Sequence, residues 1–257
     1  MNVDDPNGNR FHTKQLGQVV SNEESFRFSL PSQPQGKAIS AEEAERLLLE
    51  RLKSRESDFL NALWDLAYFY GSSGRHKEAQ AYLERYIANT DDPEARAGCY
   101  LGLGQLMEKM RDYESAISFY SRAFVLEPAN TTTWYLIHNN LGFCLNHFGR
   151  HSEAEGYCRS AIKIDPSRHN AYKNLGVSLA GQGDYAHAAE NLIMATKANA
   201  SDGRALKLLE QLLVENPEVK AEMPDIEERI QACRAAVKAV VEIRQQIQKA
   251  NSPEDQK

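Results

Sequence analysis

Apolar and small residues recur along the middle of this chain in one fixed pattern. In the stretch Tyr100 to Pro128, YLGLGQLMEKMRDYESAISFYSRAFVLEP, Tyr100 stands three before Leu103-Gly104 and Ala116 follows twelve after that glycine. Tyr120 comes four later, Ala123 three later, and Pro128 closes the block. The same order holds around Leu66-Ala67, Leu141-Gly142 and Leu175-Gly176, with Ala79, Ala154 and Ala188 twelve further on. Successive blocks are offset by 37, 38 and 34 residues, so added residues fall between blocks and not inside them. A constant interior with elastic joints marks a structural repeat, here four helix-turn-helix units. The pattern predicts helix pairs at 58–72 and 75–89, 96–109 and 112–126, 133–147 and 150–164, and 168–181 and 184–198, with turns at Gly74, Gly149 and Gly183.

Two helices cross closely only where a side chain is missing. Gly104, Gly142 and Gly176 on the first helices, and Ala116, Ala154 and Ala188 on the second, supply that room, while Tyr100, Leu103, Tyr120, Leu141, Tyr172 and Leu175 fill the space around it. Pro128 and Pro166 end second helices, because proline lacks the N–H that a continuing helix needs.

These residues follow W-x2-L-G-x2-Y…A-x3-F…P, so the chain resembles the tetratricopeptide repeat family over roughly residues 60 to 200. Leu63, His138 and Tyr172 replace the first aromatic, Ala67 replaces one glycine, and Cys158 and Leu192 replace the second-helix aromatic. The resemblance implies an all-α fold, a right-handed α-solenoid of helix-turn-helix repeats with capping helices at both ends.

Outside the repeats the pattern changes. Residues 1–39 are polar, rich in Pro and Gly, and read as a disordered tail, with one alternating island, Phe26-Arg27-Phe28-Ser29-Leu30, that carries a strand signal. Ser40-x-x-Glu43 is a capping box opening a helix that caps the first repeat, within a segment 40–57. Residues 58–200 hold the repeats and 201–250 two capping helices: a short one with Leu206, Leu209 and Leu213, then a long one from about 225 to 249. The apolar positions Ile226, Ile230, Cys233, Val237 and Val240 alternate in steps of four and three, a stripe suited to covering the last repeat or to self-association. Residues 251–257 read as a solvated tail.

Composition narrows the function classes. Thirty Lys and Arg against 36 Asp and Glu give a net charge of −6, which argues against nucleic acid or an anionic membrane as the partner. No apolar run is long enough to span a bilayer, and the start MNVDDPNGNR has no signal-peptide pattern, so a cytoplasmic location is the default expectation. The four cysteines lack C-x-x-C spacing and read as buried thiols. A metal site from Cys144, His147, His151 and Cys158 is disfavoured, since the two histidines straddle the turn at Gly149. No nucleophile–base pair or phosphate loop appears, so neither catalysis nor a cofactor is expected.

In the family that the repeats resemble, first helices line a concave groove. The resemblance therefore implies groove residues one or two places from the core anchors: Asn61, Trp64, Asp65 and Tyr68 in the first repeat and Gly98, Leu101, Gly102 and Gln105 in the second. The third offers Asn139, Asn140, Phe143, Asn146 and His147, and the fourth Asn170, Lys173, Asn174 and Val177. Asparagine amides both donate and accept, which suits the backbone of an extended peptide, and the rings suit its apolar side chains. Lys173 is the lone base among these neighbours, too few cations for the carboxylate clamp of heat-shock co-chaperones. The expectation is a non-enzymatic adaptor holding a peptide segment of another protein, with a self-associating scaffold built through the C-terminal helix as the alternative.

Overall fold

The computed structural model describes residues 26–27, 38–53 and 59–250, which fall into two compact units divided between Thr90 and Asp91. The predicted tails at 1–25, 28–37 and 251–257, and the joint at 54–58, lie outside the described residues.

In the first unit, β1 (Phe26–Arg27) pairs antiparallel with β2 (Ala38–Ile39), Phe26 opposite Ile39. The strand signal thus holds at 26–27, inside a stretch otherwise read as tail. Next come α1 (Ala41–Lys53), α2 (Phe59–Ser72) and α3 (His76–Ile87). Half of the expected capping box forms: the Glu43 N–H donates to Ser40 Oγ at 3.2 Å, while the Glu43 carboxylate turns to Arg46. Ala44 and Leu48 form the buried stripe of α1, and Tyr70 of α2 donates to Glu45 of α1 at 2.7 Å.

The second unit contains three helix pairs: α4 (Pro93–Lys109) with α5 (Tyr113–Val125), α6 (Thr131–His147) with α7 (His151–Ile164), and α8 (His169–Gly181) with α9 (Tyr185–Ala198). It closes with α10 (Arg204–Glu215), α11 (Val219–Glu222) and α12 (Ile226–Ala250). Helix α4 starts three residues before the predicted 96, because Asp92 caps it by accepting from the N–H of Glu94 and Ala95, with Pro93 at the first helical position. Asn130 caps α6 in the same way, accepting from the Thr133 N–H at 2.9 Å.

Close crossing occurs where the small residues lie. A Cβ on Gly104 would strike the Tyr120 ring, one on Gly142 would meet Cys158 Sγ at 2.5 Å, and one on Gly176 would meet Leu192 Cγ at 2.8 Å. The opposing Ala116, Ala154 and Ala188 are fully buried. The second-helix residue that fills this crossing differs between repeats: Tyr120, Cys158 and Leu192 at equivalent places. The second unit is an α-solenoid, its helix pairs stacked in chain order. At its C-terminal end, Leu209 and Leu212 of α10 and Ile226, Ile230 and Cys233 of α12 share one core with Leu192 and Ile193 of α9.

Candidate binding groove

First helices α6 and α8 pack beside each other in the second unit, and α10 continues the series. They enclose an open cavity of about 510 Å³. Helix α6 contributes Phe143, Asn146 and His147; α8 contributes Lys173, Asn174 and Val177. These are the spacings of one helical face. Helix α10 adds Arg204, Lys207, Leu208 and Gln211, again one face, opposite its buried Ala205, Leu206, Leu209, Leu212 and Leu213.

Of the residues expected in a groove, Phe143, Asn146, His147, Lys173, Asn174 and Val177 line this cavity. Trp64 and Tyr68 belong to the first unit, 38% and 48% exposed, Trp64 edge-on to Tyr86. Gln105 is exposed on α4, and Asn170 half-buried on α8; neither lines the cavity.

Three asparagines also bond within the protein. Asn139, Asn140 and Asn174 are buried, and their amides bond to one another, although Asn174 also borders the cavity. Asn174 Nδ2 donates to Asn139 Oδ1 at 3.1 Å, Asn139 Nδ2 to Asn140 Oδ1 at 2.9 Å, and Asn140 Nδ2 to the Tyr120 hydroxyl at 3.2 Å. Tyr120 in turn donates to Glu108 at 2.6 Å, whose carboxyl is raised above its ordinary value by burial. Towards the end of α8 the network continues: Asn146 Nδ2 donates to the Asn174 carbonyl at 2.9 Å, and Ser178 Oγ donates to Asn146 Oδ1 at 3.0 Å. A single polar spine links α4, α5, α6 and α8, and satisfied buried amides of this kind fix how neighbouring helices register.

The cysteines and histidines are dispersed. Cys144 points to Glu108 at 3.7 Å, Cys158 lies 4.0 Å from Ser178 Oγ, His151 meets Asn146 Oδ1 at 3.0 Å, and His147 lies against the Tyr113 ring. All four thiols are buried, and burial pushes Cys158 up to about 12, so it stays a thiol at neutral pH.

Arg204, Lys207, Leu208 and Gln211 escaped sequence reasoning, although a signal existed. Lys207 and Leu209 lie 34 residues after Lys173 and Leu175, the same offset that separates the third and fourth repeats. Glu210 stands where the other first helices carry glycine or alanine, and this hid the match. Its carboxylate accepts from Arg234 of α12 at 2.7 Å, so a salt bridge occupies the place of a close crossing.

The tetratricopeptide repeat family model matches residues 60–90 and 97–130. The chain carries tetratricopeptide repeats. The structure extends their helix pairing through α6–α9, beyond the matched residues. Among curated proteins, a peroxisomal targeting signal receptor of Eremothecium gossypii is 29% identical over 133 residues, covering 51% of this chain and 23% of the receptor. Heat shock protein STI1 of Saccharomyces cerevisiae is 28% identical over 102 residues, 40% of this chain and 17% of that protein. The chain thus spans under a quarter of the length of either relative. Among solved structures, YrrB, described as a tetratricopeptide repeat protein with an unusual peptide-binding site, superposes with a TM-score of 0.52 at 22% identity, covering 66% of this chain and 84% of YrrB. MamA from Desulfovibrio magneticus RS-1 gives 0.51 at 16% identity, covering 77% and 96%. At these identities the likeness is one of fold. No helix among the described residues is long and apolar enough to cross a membrane.

Proposed function

We propose that this chain is a non-enzymatic protein-interaction module whose second unit holds an extended segment of another protein between α6, α8 and α10. The observation that carries the reading is the lining of the cavity: apolar Phe143, Val177 and Leu208 beside polar Asn146 and Gln211 and cationic Lys173 and Lys207. Apolar walls accept side chains of a bound segment while a few polar groups set its direction. The peptide-binding description of YrrB and the receptor relatives agree with it. Asn139, Asn140 and Asn174 act in this reading by holding the groove helices in register, and Phe143, Lys173 and the α10 face make the contact. In the first unit, Trp64 and Tyr68 remain candidate contacts of their own.

Capture from the native extract tests the reading. A partner retained by the wild-type chain and lost with Phe143→Ala, Leu208→Ala at unchanged far-UV circular dichroism is the expected result. A partner retained equally by both chains places the interface elsewhere.

A second reading, self-association, has one observation in its favour: the far end of α12 leaves Val241, Ile243 and Ile247 about half exposed. Sedimentation at micromolar concentration separates the two, since a monomer ends the scaffold reading.

A further inference from the structure

The cavity is cationic in a chain whose net charge is −6. Lys173 and Lys207 occupy equivalent places, 34 residues apart, on successive groove helices, and Arg204 lies one turn before Lys207. Arg204 is paired with Asp202 at 2.6 Å, and Asp202 also meets His169 at 3.0 Å. Among the described residues no ion pair joins Lys173 or Lys207 to a carboxylate. The groove therefore gathers three cations, one of them compensated, with two amines left over. Lys173 is half-buried, and removal from water, with the charge of Arg204, holds its ammonium below the ordinary lysine value despite Asp202. A partly desolvated cation without a partner gains more from an incoming anion than a surface lysine does.

We infer that the groove selects a segment carrying two neighbouring acidic side chains, received by Lys173 and Lys207, with apolar residues beside them on Phe143, Val177 and Leu208. This rests on the groove reading above and names the chemistry of its ligand. A single terminal carboxylate fits less well. It brings one charge to two free amines, and the amide donors of Asn139, Asn140 and Asn174 that would grip it are bonded within the spine.

The test is selection of short random peptides, displayed with their C-termini fused, on the full chain. Enriched peptides are expected to carry paired Asp or Glu next to an apolar residue. Synthesised with an amidated end, they should lose about tenfold or more in affinity to Lys173→Gln, Lys207→Gln, and bind with a strong salt dependence that this variant flattens. Enriched peptides that are neutral, indifferent to the lysine changes but weakened by Phe143→Ala, Leu208→Ala would overturn the acidic preference and leave the groove reading standing. Resynthesised with a free C-terminus, the same peptides should bind about equally; a gain of about tenfold or more from the free carboxylate would overturn the preference for acidic side chains as well. No enrichment, or peptides indifferent to both variant pairs, would remove the groove reading and this inference together.

Discussion

The residue two places before each second helix in the repeats takes a left-handed backbone: Gly74, Gly149 and Gly183 with φ of 76°, 69° and 83°, and Arg111 with φ of 62° in the second repeat. The following N–H closes the same turn in each, as in Asp112 to Met107 and Arg150 to Leu145. A side chain at positive φ is strained, so Arg111→Gly is expected to stabilise the chain by up to about 1 kcal/mol in urea unfolding, less the added freedom of the unfolded glycine. Gly176→Ala works in the other direction. Its methyl would meet Leu192 Cγ at 2.8 Å and the Ala188 carbonyl at 3.2 Å, and the overpacked crossing should cost about 1–3 kcal/mol in the same assay. His138 gives a pH signature. It is buried, its Nδ1–H donates to the Trp134 carbonyl at 2.9 Å, and burial lowers its pKa below 6.5. The folded state therefore binds fewer protons than the unfolded one below that value. This contribution is intact above pH 6.5 and is lost as pH falls through and below it, so thermal melts of His138→Phe should show a shallower acid slope than wild type.

At the level of elements, the helices themselves were legible because the contacts that define each pair are local and repeat. The starts of α4 and α6 fell two or three residues early, where Asp92-Pro93 and Asn130 supply caps that the packing pattern does not encode. The polar spine was not legible. Asn139 and Asn174 meet across 35 residues, and the sequence marks them only as positions off the core anchors. Because the spine is buried, the Asn140→Ala, Asn174→Ala double variant should lose stability, about 1–3 kcal/mol per orphaned partner, in urea unfolding with no ligand present. Helix α12 divides into two functions. Ile226, Ile230 and Cys233 are buried on the α9–α10 core, whereas Val241, Ile243 and Ile247 are exposed. Removing 225–257 should cost on the order of 5 kcal/mol from lost apolar burial, and removing 241–257 should leave the melting temperature nearly unchanged.

For the molecule as a whole, net charge and groove charge have opposite signs, and the difference traces to one helix. A scan of the repeats alone finds Lys173 as a lone base, whereas α10 brings Arg204 and Lys207 to the same cavity. The sequence by itself determined that the chain forms helix pairs, where they cross and what ends them, since an interval of twelve residues between glycine and alanine is a contact within one hairpin. Tertiary structure decided which of the non-core residues face a neighbouring repeat, the cavity or solvent. A helical pattern separates buried from unburied faces but does not set the angle at which successive hairpins stack. That angle turned the asparagines inward onto each other and brought α10, two helices beyond Lys173, to the edge of the groove.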